Sequence, residues 1–481
     1  MPAKVLILSA SVGSGHKVAA AAVEQRFRER PDVAVVNQDA LKLTSRLYQA
    51  TATDAYFALA KDNPWAVGWL YDTNDAPFKN ELGINRLWNE LNTQPLARFI
   101  EEYDPDITVC THFLPAGIAA QLMGQERIGG SLAIVTTDYD FQGMWLSRVF
   151  SRYFVALEEA KMQLIALGIA PERITVSGIP VSAHFSDPLD AAAVRKRFQL
   201  NPELPTLLVS AGALGGGPAR EIVAQIMRMS TQVQAVVVCG RNQALRDEVT
   251  ALTGEQAARF RVLGFTEEMA DLMRVASLFV GKPGGLTSAE CMAAGLPMLI
   301  IDPIPGQEER NSDHLLESGA AARANTPSTI AYKLDQILTE PGRLEGMRLA
   351  TARLAHPDAA QIVVEKLLND DTPPVHMSRA QRRQIIAASR GELDPAIPPA
   401  AGEVLIYNNE TGVYLGVITP AQLKLLIDQL EEEEPGDTTY YLDESTLELL
   451  GQRGADAAFL EALRGTFVDG AHVEIRYVKV E

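Results

Sequence analysis

The chain has 481 residues, of which 47% are apolar and 22% are charged, and its formal net charge is −18. This length predicts two or three domains, and so acidic a chain is a poor candidate for nucleic-acid binding. Because no apolar run approaches the length of a membrane span, we expect a soluble or peripheral protein.

The first half of the sequence alternates short apolar runs with helical patterns. Residues 5–8 form an apolar run before a glycine-rich turn at 11–16, and apolar residues then recur at helical spacing as far as Phe27. Similar apolar runs follow at 33–36, 107–110 and 132–136. The pattern predicts a parallel sheet that helices cover on both faces.

A second alternation of strands and helices begins at residues 207–210. Its further apolar runs lie at 235–239, 260–263, 278–280 and 298–301. Two successive doubly wound halves predict a cleft between them, and ligands of such sheets bind beyond the carboxyl ends of the strands. We place the first domain at 1–185 and the second at 186–369.

The rest of the chain has a different composition. Residues 370–401 are rich in proline and arginine, as in a linker. Residues 402–481 predict a small acidic α+β module that has a hairpin, a helix and a closing strand, and no role for it follows from the sequence.

Glycines and hydroxyl residues follow the apolar run at 278–280. Unpaired N–H groups and the macrodipole at a helix start favour an anionic ligand, and glycines let a phosphate approach the backbone. Thr287 and Ser288 supply hydroxyl groups that bind such a ligand or simply cap the helix, and Glu290 can accept hydrogen bonds from ribose hydroxyls. A tight strand–helix turn explains the same glycines without any ligand.

Two further turns are predicted to face the same cleft. The glycine turn at 210–217 includes Gly216, although loop flexibility alone would also explain its glycines. The polar loop at 302–311 holds Gln307, Glu308 and Asn311, whose amide and carboxylate groups can bind sugar hydroxyls. Without the glycine motif that precedes it in the sequence, this loop would be interpreted as a solvent-exposed loop with helix-capping acids.

Polar residues also end the apolar runs of the first half. His16 follows the glycine turn, and its ordinary pKa suits a general base near neutral pH. His112 and Asp138 end two other runs, so these three side chains form one wall of a site or are merely helix-cap and turn residues. The aromatic stretch at 47–72 is either core or an apolar surface that contacts a bilayer.

Taken together, these motifs resemble the diacylglycerol glycosyltransferases, which include the monogalactosyldiacylglycerol synthases and are related to the lipid-II-forming N-acetylglucosaminyltransferase. The resemblance lies in the segments 5–16, 137–145, 178–185, 282–297 and 305–311, in the family's order, and covers about residues 4–369.

The resemblance implies a GT-B fold, a UDP-sugar donor, diacylglycerol as the lipid acceptor, inversion at the anomeric carbon and no obligatory metal. It implies that His16 is the base, that His112, Asp138 and Trp145 lie on the acceptor side, and that 47–72 contacts the inner face of the membrane in the cytoplasm. The residues that it implies for the UDP-sugar are Phe265, Gly284, Gly285, Leu286, Thr287, Ser288, Glu290, Gln307, Glu308 and Asn311, and we add Gly216 from the glycine turn at 210–217.

Two features depart from the family pattern. Relatives often carry histidine where this chain has Gln142, and the module at 402–481 is not part of the common pattern. The sequence also leaves two rival functions, a UDP-N-acetylglucosamine epimerase and a UDP-sugar-binding regulator without turnover. The cysteines Cys110, Cys239 and Cys291 form no CxxC pair, so we expect no metal site and a reducing compartment.

Overall fold

The computed structural model of the protein describes residues 2–13, 15–45, 92–212, 215, 217–370, 372–378, 381–382, 385–386, 404–409, 414–430, 438–467 and 472–479. The aromatic stretch 47–72 and Gly216 lie outside the described residues. Within them, the expected doubly wound α/β domains and the small α+β module are confirmed. None of the described helices is both long and apolar enough to span a bilayer.

The first domain is built on a parallel sheet. Its strands are β1 (Ala3–Ser9), β2 (Val33–Asp39), β3 (Ile107–Cys110), β4 (Ser131–Val135), β6 (Arg152–Val155) and β7 (Ile174–Val176), in the order β2-β1-β3-β4-β6-β7. Its helices include α1 (Gly15–Arg28), α2 (Gln94–Tyr103), α3 (Phe113–Gly124) and α4 (Glu158–Ala166). Residues 5–8 of β1 are all buried, which is why they form a continuous apolar run rather than an alternating one.

The second domain repeats this architecture. Its strands are β8 (Thr206–Ser210), β9 (Gln234–Val238), β10 (Phe260–Leu263), β11 (Leu278–Gly281), β12 (Met298–Ile301) and β13 (Ala321–Ala324), in the order β10-β9-β8-β11-β12-β13. Its helices include α5 (Ala191–Arg197), α6 (Ala219–Ile226), α7 (Gln243–Thr253), α8 (Met269–Val275), α9 (Gly285–Ala293), α10 (Gln307–Glu317), α11 (Ile330–Thr339) and α12 (Arg343–Leu354). Because the strands are parallel, their carboxyl ends meet along one edge of each sheet.

Short 3-10 helices connect some of these elements. They lie at Ala40–Leu43, Gly143–Trp145, Pro171–Arg173, Ala183–Phe185, Gly254–Arg259 and Pro327–Thr329.

The chain then returns to the first domain. Helix α13 (Ala359–Leu368), in the part that the sequence assigned to the second domain, buries Val363 and Leu367 against the core of the first sheet, beside Val23 of α1. After it, Asp370 forms a buried ion pair with Arg152 at 2.5 Å. The strand β14 (Val375–His376) pairs antiparallel with β5 (Val149–Phe150), so the beginning of the predicted linker is also attached to the first domain.

The C-terminal module packs three helices on one face of an antiparallel sheet, as far as the described residues show. Its elements are β15 (Val404–Asn408), β16 (Tyr414–Ile418), α14 (Pro420–Gln429), β17 (Thr439–Asp443), α15 (Glu444–Gln452), α16 (Ala457–Arg464) and β18 (His472–Lys479), with the strand order β16-β15-β18-β17. Leu405 and Tyr407 of β15 pack against Ala170 of the first domain, and Arg476 forms an ion pair with Glu172. The module therefore has its own core and a contact with the first domain.

Candidate active site

His16 lies in the first turn of α1, at the carboxyl end of β1. Its Nδ1 atom is 2.9 Å from the backbone oxygen of Thr111 and 2.9 Å from the hydroxyl of Thr137. A carbonyl oxygen can only accept a hydrogen bond, so Nδ1 carries the proton and Nε2 keeps its lone pair. The hydroxyl of Thr111 in turn donates to the backbone oxygen of His16 at 2.9 Å. These contacts fix both the position and the tautomer of the imidazole.

Burial lowers the pKa of His16 to about 4, although the hydrogen bond to the Thr111 carbonyl acts in the opposite direction. The ring is therefore neutral near pH 7 and available as a proton acceptor. The residue as a whole is half-buried.

His112 and Trp145 lie beside His16. The imidazole of His112 meets that of His16 edge-on, with ring centroids 4.6 Å apart, and Trp145 lies 6.4 Å from His16. His112 also caps α3, because its Nδ1 accepts a hydrogen bond from the backbone N–H of Leu114 at 3.1 Å. Burial, with a contribution from His16, holds the pKa of His112 well below its usual value. His112 thus both caps α3 and contacts the His16 ring.

The N-terminus of α9 meets this wall from the second domain. A Cβ atom at Gly15 would lie 3.5 Å from Cβ of Leu286, so the starts of α1 and α9 are in contact range. A Cβ atom at Gly285 would lie 2.0 Å from the carbonyl oxygen of Thr137, a position that only glycine can occupy. The N-cap residue Gly284 makes no side-chain capping bond. Backbone N–H groups in the first turn of α9 therefore remain as donors for an anion.

The other predicted residues of α9 differ in their accessibility. Thr287 is half-buried, whereas Ser288 is fully buried and its hydroxyl has no hydrogen-bond partner within the described residues. Glu290 is half-buried, and burial raises its pKa to about 7. Thr287 is thus better placed than Ser288 to offer a hydroxyl to a ligand.

Asp138 lies at the junction of the two domains. Its carboxylate accepts one hydrogen bond from the side-chain amide of Gln307 and a second, at 3.1 Å, from that of Asn311. Asn311 also accepts a hydrogen bond from the backbone N–H of Tyr139 at 3.1 Å. Burial raises the pKa of Asp138 to about 6, against the effect of these two amides and with a smaller contribution from Asp140. The predicted acceptor-side carboxylate and two of the predicted donor-side amides are therefore in direct contact.

Contacts next to Asp138 extend this junction, and sequence reasoning missed them. The ring of Tyr139 stacks on His314 with centroids 4.8 Å apart, and Arg310 forms an ion pair with Asp140. Gln163 of α4 donates a hydrogen bond to Asp140 at 2.6 Å. In the sequence, Arg310 and Asp140 look like ordinary solvent-exposed charges. Only the fold shows that they form a pair.

Glu308 follows Gln307 at the start of α10. Its Oε2 atom accepts a hydrogen bond from the backbone N–H of Ile304 at 2.7 Å, and burial raises its pKa. A Cβ atom at Gly284 would lie 3.7 Å from its Oε1 atom, so the starts of α9 and α10 are adjacent. The turn before α9 and the polar loop at 302–311 are thus neighbours in space, as expected if both face one cleft.

Phe265 lies further along the same edge, after β10. It is 53% exposed and borders an open pocket of about 550 Å³ with Arg241, Arg246 and Gly264. The guanidinium of Arg241 lies 5.0 Å from the centroid of the Phe265 ring. The sequence analysis missed Arg241, and the available signal is its position three residues after the end of β9. This pocket can accommodate a planar ring beside a cation.

The remaining sequence expectations concern metals and Gln142. Among the described residues, no group of three histidine, cysteine, aspartate or glutamate side chains has the geometry to bind a metal ion. Gln142 is buried and precedes the short 3-10 helix that carries Trp145.

Each of the two large domains matches a known protein family. Residues 16–181 match the family model of monogalactosyldiacylglycerol (MGDG) synthase, and residues 206–363 match that of the glycosyltransferase family 28 C-terminal domain. A processive diacylglycerol beta-glucosyltransferase of Bacillus cytotoxicus is 30% identical over 76% of this chain and 94% of its own length.

Solved structures share the fold at lower identity. MurG of Acinetobacter baumannii has a TM-score of 0.53 at 18% identity and covers 77% of this chain and 100% of its own. A UDP-GlcNAc 2-epimerase of Neisseria meningitidis bound to UDP-GlcNAc has a TM-score of 0.51 at 14% identity, over 76% of this chain and 100% of its own. These likenesses confirm the GT-B fold, which transferases and epimerases have in common. By the sequence matches, the chain belongs to the family of diacylglycerol glycosyltransferases that includes the MGDG synthases.

Proposed function

We propose that the chain transfers a hexose from a UDP-sugar to the free hydroxyl of diacylglycerol, with inversion at the anomeric carbon. The observation that carries this proposal is the meeting of the start of α1, which holds His16, with the N-terminus of α9: a Cβ atom placed on Gly15 would lie 3.5 Å from Cβ of Leu286. A neutral base and an anion-binding helix end then face the same space. A hydroxyl acceptor and a diphosphate leaving group require such a pair.

On the donor side, the diphosphate binds the first-turn N–H groups of α9, from Gly284 onward, with help from the hydroxyl of Thr287. The helix dipole adds to this attraction. Glu290, one turn further on, accepts hydrogen bonds from the ribose. The uracil enters the pocket that Phe265 and Arg241 border, where one face of the base meets an exposed ring. Gln307 and Glu308, at the start of α10, contact the hexose.

In the transfer step, Nε2 of His16 takes the proton of the acceptor hydroxyl. The acceptor oxygen attacks the anomeric carbon as the bond from that carbon to the UDP oxygen breaks, and the negative charge passes to UDP. The N-terminus of α9 stabilises that charge. The proton then leaves His16 to solvent, which restores the neutral base. The hydrogen bond of Nδ1 to Thr111 keeps Nε2 as the accepting atom throughout.

The names of the relatives guide the choice of sugar and acceptor. The Bacillus relative is named as a processive diacylglycerol beta-glucosyltransferase, whereas the family model of the first domain is named for a galactolipid synthase. We therefore propose glucose as the first donor to test and galactose as the second. Because diacylglycerol is a membrane lipid, we propose that the protein works on the inner face of the membrane, with contact through 47–72.

A panel of UDP-hexoses tests this proposal. Purified protein is incubated with vesicles that contain diacylglycerol, and the lipids are analysed by mass spectrometry, with diacylglycerol-free vesicles and His16→Gln as controls. We expect one hexosyl diacylglycerol per UDP released, and little product from the variant. Epimerised UDP-sugar without lipid product would instead support an epimerase. Binding of UDP without any turnover would indicate a regulator.

A further inference from the structure

Asp138 engages the second domain through a defined pattern of donors and acceptors. One carboxylate oxygen accepts a hydrogen bond from Nε2 of Gln307, and the other accepts one from Nδ2 of Asn311 at 3.1 Å. Asp138 is only 6% exposed, so this carboxylate is surrounded by protein rather than by water. Its two oxygens therefore serve the amides of α10.

A carboxylate fixes the orientation of a side-chain amide. An amide offers an NH₂ donor on one side and a carbonyl acceptor on the other, and an ionised carboxylate can only accept. Asp138 therefore holds the NH₂ group of Gln307 toward itself and turns Oε1 away. Within the described residues, Oε1 of Gln307 has no hydrogen-bond partner, whereas Oδ1 of Asn311 accepts from Tyr139. Both ends of the Asn311 amide are thus engaged, whereas Gln307 keeps its carbonyl oxygen as an acceptor.

The free acceptor lies at the start of α10, beside the start of α9. Oε1 of the adjacent Glu308 is 3.7 Å from a Cβ atom placed on Gly284. A Cβ atom on Gly285 would come within 2.7 Å of Oδ1 of Asp138. Asp138 and the start of α10 thus lie next to Gly284 and Gly285 at the start of α9.

We propose that Asp138 is a positioning residue that holds the Gln307 amide so that only its carbonyl oxygen is offered to the donor hexose. The site then selects a sugar hydroxyl that donates a hydrogen bond at this position. This inference rests on the proposed function, because it requires the hexose of a UDP-sugar at the start of α10. Asp138 itself does not contact the sugar, since both of its oxygens are already engaged by α10.

A reciprocal exchange of the two side chains tests the inference. In Asp138→Asn, the new NH₂ group faces the NH₂ group of Gln307, so the Gln307 amide must turn and present a donor to the sugar. In Gln307→Glu, two carboxylates face each other. The double variant restores an NH₂ group opposite a carboxylate, keeps the charge of the pair, and returns a free acceptor to the hexose.

Calorimetric titration of UDP-glucose and of UDP then measures the contribution of the hexose in each protein. We expect each single variant to bind UDP-glucose about tenfold more weakly, with UDP affinity changed less than about twofold, and the double variant to recover to within about threefold of the original. Asp140→Asn is the matched control, because it removes the neighbouring ion pair with Arg310 and leaves Gln307 untouched. We expect no change in the UDP-glucose to UDP ratio for this control.

Several outcomes overturn the inference. A merely structural role for Asp138 predicts that UDP and UDP-glucose weaken equally in Asp138→Asn and that the double variant brings no recovery. The inference is also wrong if both single variants bind UDP-glucose as tightly as the unaltered protein. If the unaltered protein binds UDP-glucose no more tightly than UDP, Gln307 does not contact the sugar. The inference is then wrong, whereas the proposed function is not. If the unaltered protein binds neither ligand, the proposed function fails as well.

Discussion

Gly285→Ala is the substitution that the geometry of the domain junction constrains most strongly. Gly285 opens α9 directly beneath the strand-end loop of the first domain. The added Cβ would lie 2.0 Å from the carbonyl oxygen of Thr137 and 2.7 Å from Oδ1 of Asp138. The backbone of α9 is compatible with alanine, because Gly285 does not have a positive φ. The change therefore acts on the contact between the domains and not on the helix itself.

The size of the effect follows from these distances. A Cβ atom needs at least 3.0 Å, so the loop must retreat by about 1 Å from Gly285. The 3.1 Å bond between Asp138 and Asn311 would then stretch beyond hydrogen-bond range. Because this bond ends on a carboxylate, we expect its loss to lower the free energy of unfolding by roughly 2 kcal/mol.

Urea unfolding followed by circular dichroism measures this loss, and Gly284→Ala is the control for stability. A Cβ at Gly284 would lie 3.7 Å from Glu308, an ordinary contact, so we expect about 0.5 kcal/mol there, from the poorer N-cap alone. Gly285→Ala should unfold at clearly lower urea than Gly284→Ala. Equal midpoints for the two variants would refute the close approach of Thr137 to α9.

Three further predictions concern the base and the buried ion pair. His16→Gln, which removes the base, should lower kcat by about 10²- to 10⁴-fold with little change in KM for the UDP-sugar, as steady-state kinetics with vesicles would reveal. Burial lowers the pKa of His16 to about 4, so its imidazole should stay neutral from pH 7 down to about 5 and gain a proton only as the pH drops through 4, as NMR titration of the ring against His16→Gln would reveal; a ring that titrates near pH 6.5 would contradict this environment. Arg152→Ala leaves Asp370 as an unpaired buried charge and should cost about 3–5 kcal/mol, visible as a lower midpoint in chemical unfolding, whereas a change below 0.5 kcal/mol (roughly, the size of a surface substitution) would contradict the burial.

Periodicity and glycine placement predict the fold well because they are local signals. The apolar runs before His16 and before the glycines at 284–285 become the buried strands β1 and β11, and the helices begin where the pattern changes. Parallel strands then bring His16, His112 and Asp138 to one edge by geometry alone. This is why candidate residues scattered along the sequence meet in space.

What each candidate side chain contacts was not predictable, because partners are chosen by tertiary packing. His112 caps α3, and Asp138 holds amides that come from the other domain. The same holds for α13, whose apolar face would suit either sheet, and which covers the first one. Hydrophobic periodicity specifies that a face is buried but not which surface buries it.

Calorimetric titration of the intact chain with UDP tests the central claim most directly, because the claim places the diphosphate on the first-turn N–H groups of α9. We predict saturable heat with one UDP bound per chain. We further predict that Thr287→Val weakens this binding severalfold, because it removes the half-buried hydroxyl beside those groups while keeping the size of the side chain. A folded protein that gives no saturable heat with UDP would contradict the account.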